Sequence, residues 1–237
     1  MRTIAISCDR LLEDEPSCLG REISVEDFFA ACETVRIAGL HPHILLTLHP
    51  MNYRNMPRYL ACAQEHGCTI GFSILSCVSE RYHDFVFSKD QLRELADIAF
   101  AEQASINELS VSTKTNASQG LSCATCCGAG RTCVSVSHDG SVYPCHMLHL
   151  TGLCAGNAFF DNAEAIRDGL AAKALSTVDE VPGCAACDIR YLCGGGCRAR
   201  LMHAMDNRLL HQERCDPYCA FYQRAIGHQV NQLLGRG

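Results

Sequence analysis

The sequence predicts an α/β protein: a parallel sheet with helices on its outer face, as in part of a (β/α) barrel, followed by a small cysteine-rich α+β domain. Three observations lead there. Apolar strands alternate with amphipathic helices through the first half. A polar stretch at 113–122 (TKTNASQGLS) then breaks the pattern. Beyond it, twelve of the eighteen cysteines crowd between Cys123 and Cys219.

Taken in order, TIAIS at 3–7 is a short β-rich apolar run. Ser24 is placed to cap a helix, with Asp27 as its capping-box partner. Val25, Phe28, Phe29, Cys32 and Val35 recur at helical spacing, and Gly39 follows as a stop. ILLTL at 44–48 is the next strand, a helix runs from about Asn55 to Glu65, and Gly67 ends it. TIGFSIL at 69–75 is a third strand. Ser88 and Gln91 open a helix through Leu92, Leu95 and Ala99, and a weaker strand is expected near Glu108 to Ser112. Three or four strands do not close a barrel, and the outer edge of the first is left to be covered. The boundary divides the chain into residues 1–115 and 116–237. In the second part, CVSVSHDGSVY at 133–143 is two alternating runs around Asp139-Gly140, a hairpin signal. Asn162 to Ala172 reads as a helix. Asp216-Pro217 starts the last one, with Tyr222, Ile226, Val230 and Leu233 on one stripe.

Composition narrows the function. The 237 residues carry a net charge of −6, with no basic cluster of the kind a nucleic-acid groove needs. No apolar run reaches membrane-spanning length. Ser7 to Arg10 breaks the N-terminal apolar run, against a signal-peptide core. The expectation is a soluble, cytoplasmic protein with no nucleic-acid and no membrane partner. Disulfide-dense chains are typically short and secreted, so metal is the better explanation for the crowded cysteines. Cys8, Cys18, Cys32, Cys62, Cys68 and Cys77, scattered singly, read as small buried apolar residues.

CAACDIRYLCGGGC at 184–197 is C-x2-C-x5-C-x3-C. Four thiolates suit zinc or an iron–sulfur cluster. Zinc ribbons usually pair two C-x2-C knuckles, and only Cys184/Cys187 and Cys123/Cys126 have that spacing. The three glycines are consistent with a backbone passing close to a bulky inorganic core, or with a tight turn that would serve zinc as well.

Further cysteines extend the pattern: C-x12-G-x4-C from Cys127 to Cys145, then the fourteen-residue run, then Cys215. This resembles the seven-cysteine signature of the SPASM domain, the C-terminal extension of many radical S-adenosylmethionine enzymes. CGAG at 127–130, DGSVYPC at 139–145 and Gly156-Asn157 resemble the domain's opening, its hairpin and the GN that follows. The likeness covers about Cys126 to Tyr222. The first half resembles the later strands and helices of the radical enzyme's partial barrel, in its C-terminal half.

The resemblance implies two auxiliary [4Fe–4S] clusters with interleaved ligands. One would take Cys127, Cys133, Cys145 and Cys197, with Cys126 or Cys123 as substitutes for Cys133. The other would take Cys184, Cys187, Cys193 and Cys215, with Cys219 a spare or packed thiol. Cys193 and Cys197 would then serve different clusters, tied together by the glycine turn. The family binds its catalytic cluster through C-x3-C-x2-C; Cys123 and Cys127 have the first spacing, but position 130 is glycine. The chain therefore looks like the C-terminal part of such an enzyme: a truncated product, a misplaced start or half of a split enzyme. S-adenosylmethionine and a third [4Fe–4S] cluster enter only if an N-terminal half or partner chain completes the barrel.

The resemblance further implies a peptide or protein substrate and a reductant such as flavodoxin or ferredoxin. The alternatives are a non-catalytic electron-transfer or substrate-binding partner, and a zinc-stabilised interaction module. His146 stands where some members carry an acidic base and is the one catalytic candidate. Arg198 and Arg200 read either as cations neutralising the clusters or as surface residues. His41, His43 and His49 read as loop histidines flanking a strand.

Overall fold

A computed structural model describes residues 2–15, 23–76, 84–106, 124–125, 127–173, 176–206 and 215–235. Two units emerge: Met1–Val111 with Ala220–Gly237, and Ser112–Cys219.

The first unit is built on β1 (Thr3–Cys8), β2 (His41–Leu48) and β3 (Thr69–Ile74), all parallel in the order β1-β2-β3. Thr3 pairs with His41, and His43 with Thr69. Parallel neighbours need crossover connections, and α1 (Val25–Ile37) and α2 (Met56–Glu65) supply them. Ile44, Leu46 and Leu48 alternate onto one fully buried face of β2. Their neighbours His43, Leu45 and Thr47 lie half-buried on the opposite face. A bridge from Phe72 to Ile106 begins another parallel pairing beside β3. The strand expected near Glu108 to Ser112 lies outside the described residues. Among the described residues the sheet stays open.

The helix signals act as the sequence reading expects, with one difference. Ser24 accepts the Asp27 N–H at 3.0 Å and caps α1. The Asp27 carboxylate, however, accepts the Ser24 hydroxyl at 2.7 Å instead of reaching back to the backbone. A full capping box forms at α3 (Lys89–Ala101), where Ser88 and Gln91 exchange hydrogen bonds.

Asp97 on α3 accepts from Arg224 at 2.6 Å and lies 2.5 Å from His228, whose ring stacks on Phe100. Both partners belong to the terminal helix, α8 (Cys219–Leu233). Residues 220–237 therefore group with the first unit, whereas the sequence reading ran the second domain to residue 237. The ion pair and the buried Phe221, Tyr222, Ala225 and Ile226 hold the helix there. The expected stripe is realised only in its first half: Leu233 is 87% exposed and Val230 37%.

Glu94, also on α3, accepts from Arg54 at 2.7 and 2.8 Å and from the Tyr53 hydroxyl at 2.6 Å. The Arg54 bond first, then that from Tyr53, holds its carboxyl down to about 2. A depressed carboxyl stabilises the fold above its unfolded pKa and loses that contribution as pH falls through the folded value. Denaturant unfolding of Glu94→Gln should therefore show a deficit against wild type at pH 6 that closes between about pH 4.5 and pH 2. An equal deficit at both ends of that window contradicts the assignment.

The second unit has a small antiparallel sheet: β4 (Ser135–Val136), β5 (Ser141–Tyr143) and β6 (Gly156–Asn157). The Asp139-Gly140 hairpin forms, and Gly140 has φ +83°. Asn157 fixes that turn: its amide donates to the Asp139 carbonyl at 2.9 Å, while β6 pairs Gly156 with Val142. α4 (Ala163–Ala172) follows, capped by Asn162. Short helices α5 (Pro182–Ala185) and α6 (Arg190–Cys193) carry part of the fourteen-residue cysteine run, and the longer α7 (Arg198–Asp206) begins directly after it.

Candidate metal centre

The cysteines of the second unit fall into two sets. The first is assembled by the loop after Cys127. The Gly128 carbonyl accepts the N–H groups of Arg131, Thr132 and Cys133. Gly130, at φ +71°, donates to the carbonyls of both Cys133 and Pro144, joining the loop to the residue before Cys145. Surrounding protein, then the proximity of Cys127 and Cys145, pushes the Cys133 thiol up. These three cysteines are therefore neighbours. Cys145 Sγ accepts the Met147 N–H at 3.5 Å.

The second set gathers around a small core of Val178, Val181, Cys184 and Leu201, against which Tyr191 and Cys215 pack. Pro182 opens α5, and the Cys187 N–H returns to the Cys184 carbonyl at 2.9 Å to make the C-x2-C turn. Burial, then the closeness of Cys215, raises the Cys184 thiol, with Cys187 a smaller contributor. Burial pushes Cys193 up to about 11, while N–H groups of Gly195 and Gly196 point at its sulfur and oppose the rise. Cys219, the first residue of α8, has its thiol raised by a hydrogen bond with Cys215 and by burial; Cys187 and Cys193 are also near. It is thus a fifth thiol beside this set.

The glycine turn explains its own composition. Gly194, Gly195 and Gly196 have φ of +69°, +81° and +65°, three consecutive left-handed residues. A β-carbon on Gly195 would lie 2.6 Å from the Arg198 guanidinium, and one on Gly196 would lie 2.4 Å from the Asp216 carboxylate. The left-handed run is what turns the Gly195 and Gly196 N–H groups towards Cys193.

Cys197 is placed differently. The strongest influences on its thiol, after burial, are Arg200, Asp216 and the N–H groups of Arg200 and Ala199 at the start of α7. None of these strongest influences is a cysteine, so the structure leaves its expected grouping with Cys127, Cys133 and Cys145 open. Among the described residues no three or more His, Cys, Asp or Glu side chains converge as they would on a single metal ion.

Arg198 and Arg200 are both buried, at 5% and 8% exposed, which removes the surface reading. Arg198 donates to the carbonyls of Ser176 at 2.7 Å and Gly195 at 2.6 Å. Arg200 pairs with Asp216 through bonds of 3.0 and 2.7 Å. Asp216 is 2% exposed and was missed in sequence as a site residue. Its signal was local: an acid directly after a cysteine, in a chain with two arginines beside another.

The other candidates resolve as follows. His146 is exposed, with Nδ1 3.7 Å from Cys145 Sγ. Cys123 and Cys126 lie outside the described residues. His41 and His43 are strand residues, correcting their loop placement, and one ring nitrogen of each meets the Thr69 hydroxyl: His41 Nε2 at 3.1 Å and His43 Nδ1 at 2.8 Å. His49 is buried just beyond β2; burial lowers its imidazole to about 4, so it is neutral near pH 7.

The donor set fits an iron–sulfur group by its chemistry. The thiols supply soft ligands, and Cys145, Cys193 and Cys197 each receive backbone N–H groups, which tune thiolate-bound clusters. Such a donor set defines the class of site as one suited to an iron–sulfur group. Within the second unit, residues 126–188 match the SPASM family, described as an iron–sulfur cluster-binding domain.

Among solved structures, the chain is similar to anSMEcpe with bound AdoMet and the Kp18Cys peptide. The identity is 18% and the TM-score 0.64, over 98% of this chain and 69% of that one. It is also similar to SuiB of Streptococcus suis bound to S-adenosylmethionine, at 17% identity and TM-score 0.55, over 84% of this chain and 50% of that one. At such identities these likenesses show a shared fold and nothing more. An uncharacterized protein of Archaeoglobus fulgidus is 31% identical over 119 residues, 47% of this chain and 26% of that protein. No helix among the described residues is long and apolar enough to cross a membrane.

Proposed function

We propose that this chain holds two auxiliary [4Fe–4S] clusters and serves a radical S-adenosylmethionine enzyme that modifies a peptide or protein. One cluster is assigned to Cys127, Cys133, Cys145 and Cys197, the other to Cys184, Cys187, Cys193 and Cys215. The observation that carries this reading is the division of the thiols into two sets, Cys127/Cys133/Cys145 and Cys184/Cys187/Cys193/Cys215. The peptide and AdoMet named in the anSMEcpe structure support the substrate class and the cofactor.

The clusters, when bound, supply one-electron transfer or a coordination point for substrate. The chain's own residues do the rest. The cysteine thiols anchor the iron, and the N–H groups of Met147, Gly195, Gly196, Ala199 and Arg200 draw charge from the sulfurs. S-adenosylmethionine cleavage is assigned to a segment or partner chain carrying C-x3-C-x2-C, which adds strands at the exposed edge of β1. A reductant such as flavodoxin or ferredoxin supplies electrons.

Iron, sulfide and zinc analysis of the anaerobically purified chain tests the reading. About eight irons and eight sulfides per chain are expected for two four-iron clusters. Stoichiometric zinc without iron would overturn it in favour of a zinc-stabilised module.

A further inference from the structure

We infer that Asp216, paired with Arg200, is a positioning residue shared by both clusters, locking the last ligand of one to Cys197 of the other. The inference rests on the two-cluster reading above. Four hydrogen bonds converge on this one carboxylate. Oδ1 accepts from Arg200 Nε at 3.0 Å and from the Tyr218 N–H at 3.0 Å. Oδ2 accepts from Arg200 Nη2 at 2.7 Å and from the Cys197 N–H at 2.5 Å. Asp216 follows Cys215 directly in the chain. A single buried side chain therefore bonds the backbone of Cys197 and is covalently next to Cys215.

The surroundings are shaped for it. Gly196 leaves the space that the carboxylate fills, since any β-carbon there would overlap Asp216. The Arg200 guanidinium lies 4.3 Å above the centre of the Tyr218 ring, which fixes its plane against the carboxylate. Arg200 also acts through its own N–H, directed at Cys197 Sγ. A buried, fully paired ion pair is costly to break from one side, because the remaining charge is stranded. That rigidity is what a residue fixing the distance between two clusters requires.

Charge gives the test its sign. Each cluster gains an electron on reduction, so loss of the Asp216 charge favours the reduced forms and loss of the Arg200 charge disfavours them. Asp216→Asn and Arg200→Gln, in the anaerobically loaded full chain, should move the midpoint potentials of both clusters, upward for the first and downward for the second. Arg200→Lys, which keeps the charge, should lie closer to wild type than Arg200→Gln. These are readouts that a merely structural contact would not move in the folded, iron-loaded fraction. Loaded single variants that titrate as wild type, or that shift one cluster only, would overturn the proposal.

Should a single variant not accumulate, Asp216→Asn/Arg200→Gln leaves no stranded charge. Its clusters should load but give altered electron paramagnetic resonance spectra for both, and a wild-type spectrum would overturn the proposal. A wild-type chain that takes up no iron refutes the two-cluster reading instead. Failure of that reading is thereby distinguished from failure of the role of Asp216.

Discussion

Gly196→Ala should unfold the glycine turn or strip iron from the second unit, while Gly152→Ala should do neither. Gly196 sits at φ +65°, where an L-residue other than glycine is strained. The new methyl group would lie 2.4 Å from Asp216 Oδ2 and 2.8 Å from its Cβ. Asp216 cannot retreat without releasing the Arg200 guanidinium and the Cys197 N–H, both inside a buried site. The left-handed backbone alone costs about 1–2 kcal/mol, and overpacking a filled site adds about 1–3 kcal/mol. Such a sum is a large share of the roughly 5–15 kcal/mol by which domains are stable. Gly152 has nothing within 4 Å of its added β-carbon and so controls for the substitution itself. Thermal unfolding and iron content of the two variants are the measurements. Equal behaviour would contradict the packing described for the glycine turn.

Cys145→Ala is expected to remove about half of the iron, from about eight to about four per chain, and to leave the second cluster's signal intact. The reason is the separateness of the two sets. Cys145 ends the hairpin and belongs with Cys127 and Cys133, whereas the core beneath Cys184 is made of Val178, Val181 and Leu201. Alanine offers no replacement donor, and exposed His146, whose Nδ1 lies 3.7 Å from the Cys145 sulfur, is a side chain that could compensate in part. Cys154→Ala is the matched control. Its thiol donates to the Gly156 carbonyl at 3.5 Å and has no part in either set, so its iron content should stay at the wild-type level. Loss of all iron from Cys145→Ala, or equal loss from Cys154→Ala, would contradict the division.

Much of this was legible in the residues themselves. Ser88 with Gln91, Asp139-Gly140 and Asn162 are local signals, and local hydrogen bonds realise each of them. The strand at 44–48 also reads directly as an apolar run, whereas the alternation of buried Ile44, Leu46 and Leu48 with half-buried neighbours is seen only in the fold. What stayed hidden depends on distant partners. Periodicity identified a terminal helix but not the surface it meets. That surface is set by Asp97, more than a hundred positions away, and leaves Leu233 and Val230 outside the buried stripe. Asp216 read as a helix-starting residue before proline, while in the fold its carboxylate turns back to Arg200 and Cys197. The two arginines were ambiguous for the same reason: their burial depends on the carbonyls of the glycine turn and on a carboxylate sixteen residues downstream of Arg200.

The central claim is that CAACDIRYLCGGGC feeds two clusters, three of its cysteines serving one and Cys197 the other. Electron paramagnetic resonance of reduced, anaerobically loaded Cys193→Ala and Cys197→Ala tests it most directly. Each variant is predicted to lose a different cluster signal and keep the one its partner loses. Loss of the same signal from both variants would contradict the account and make the fourteen-residue run a single four-cysteine site.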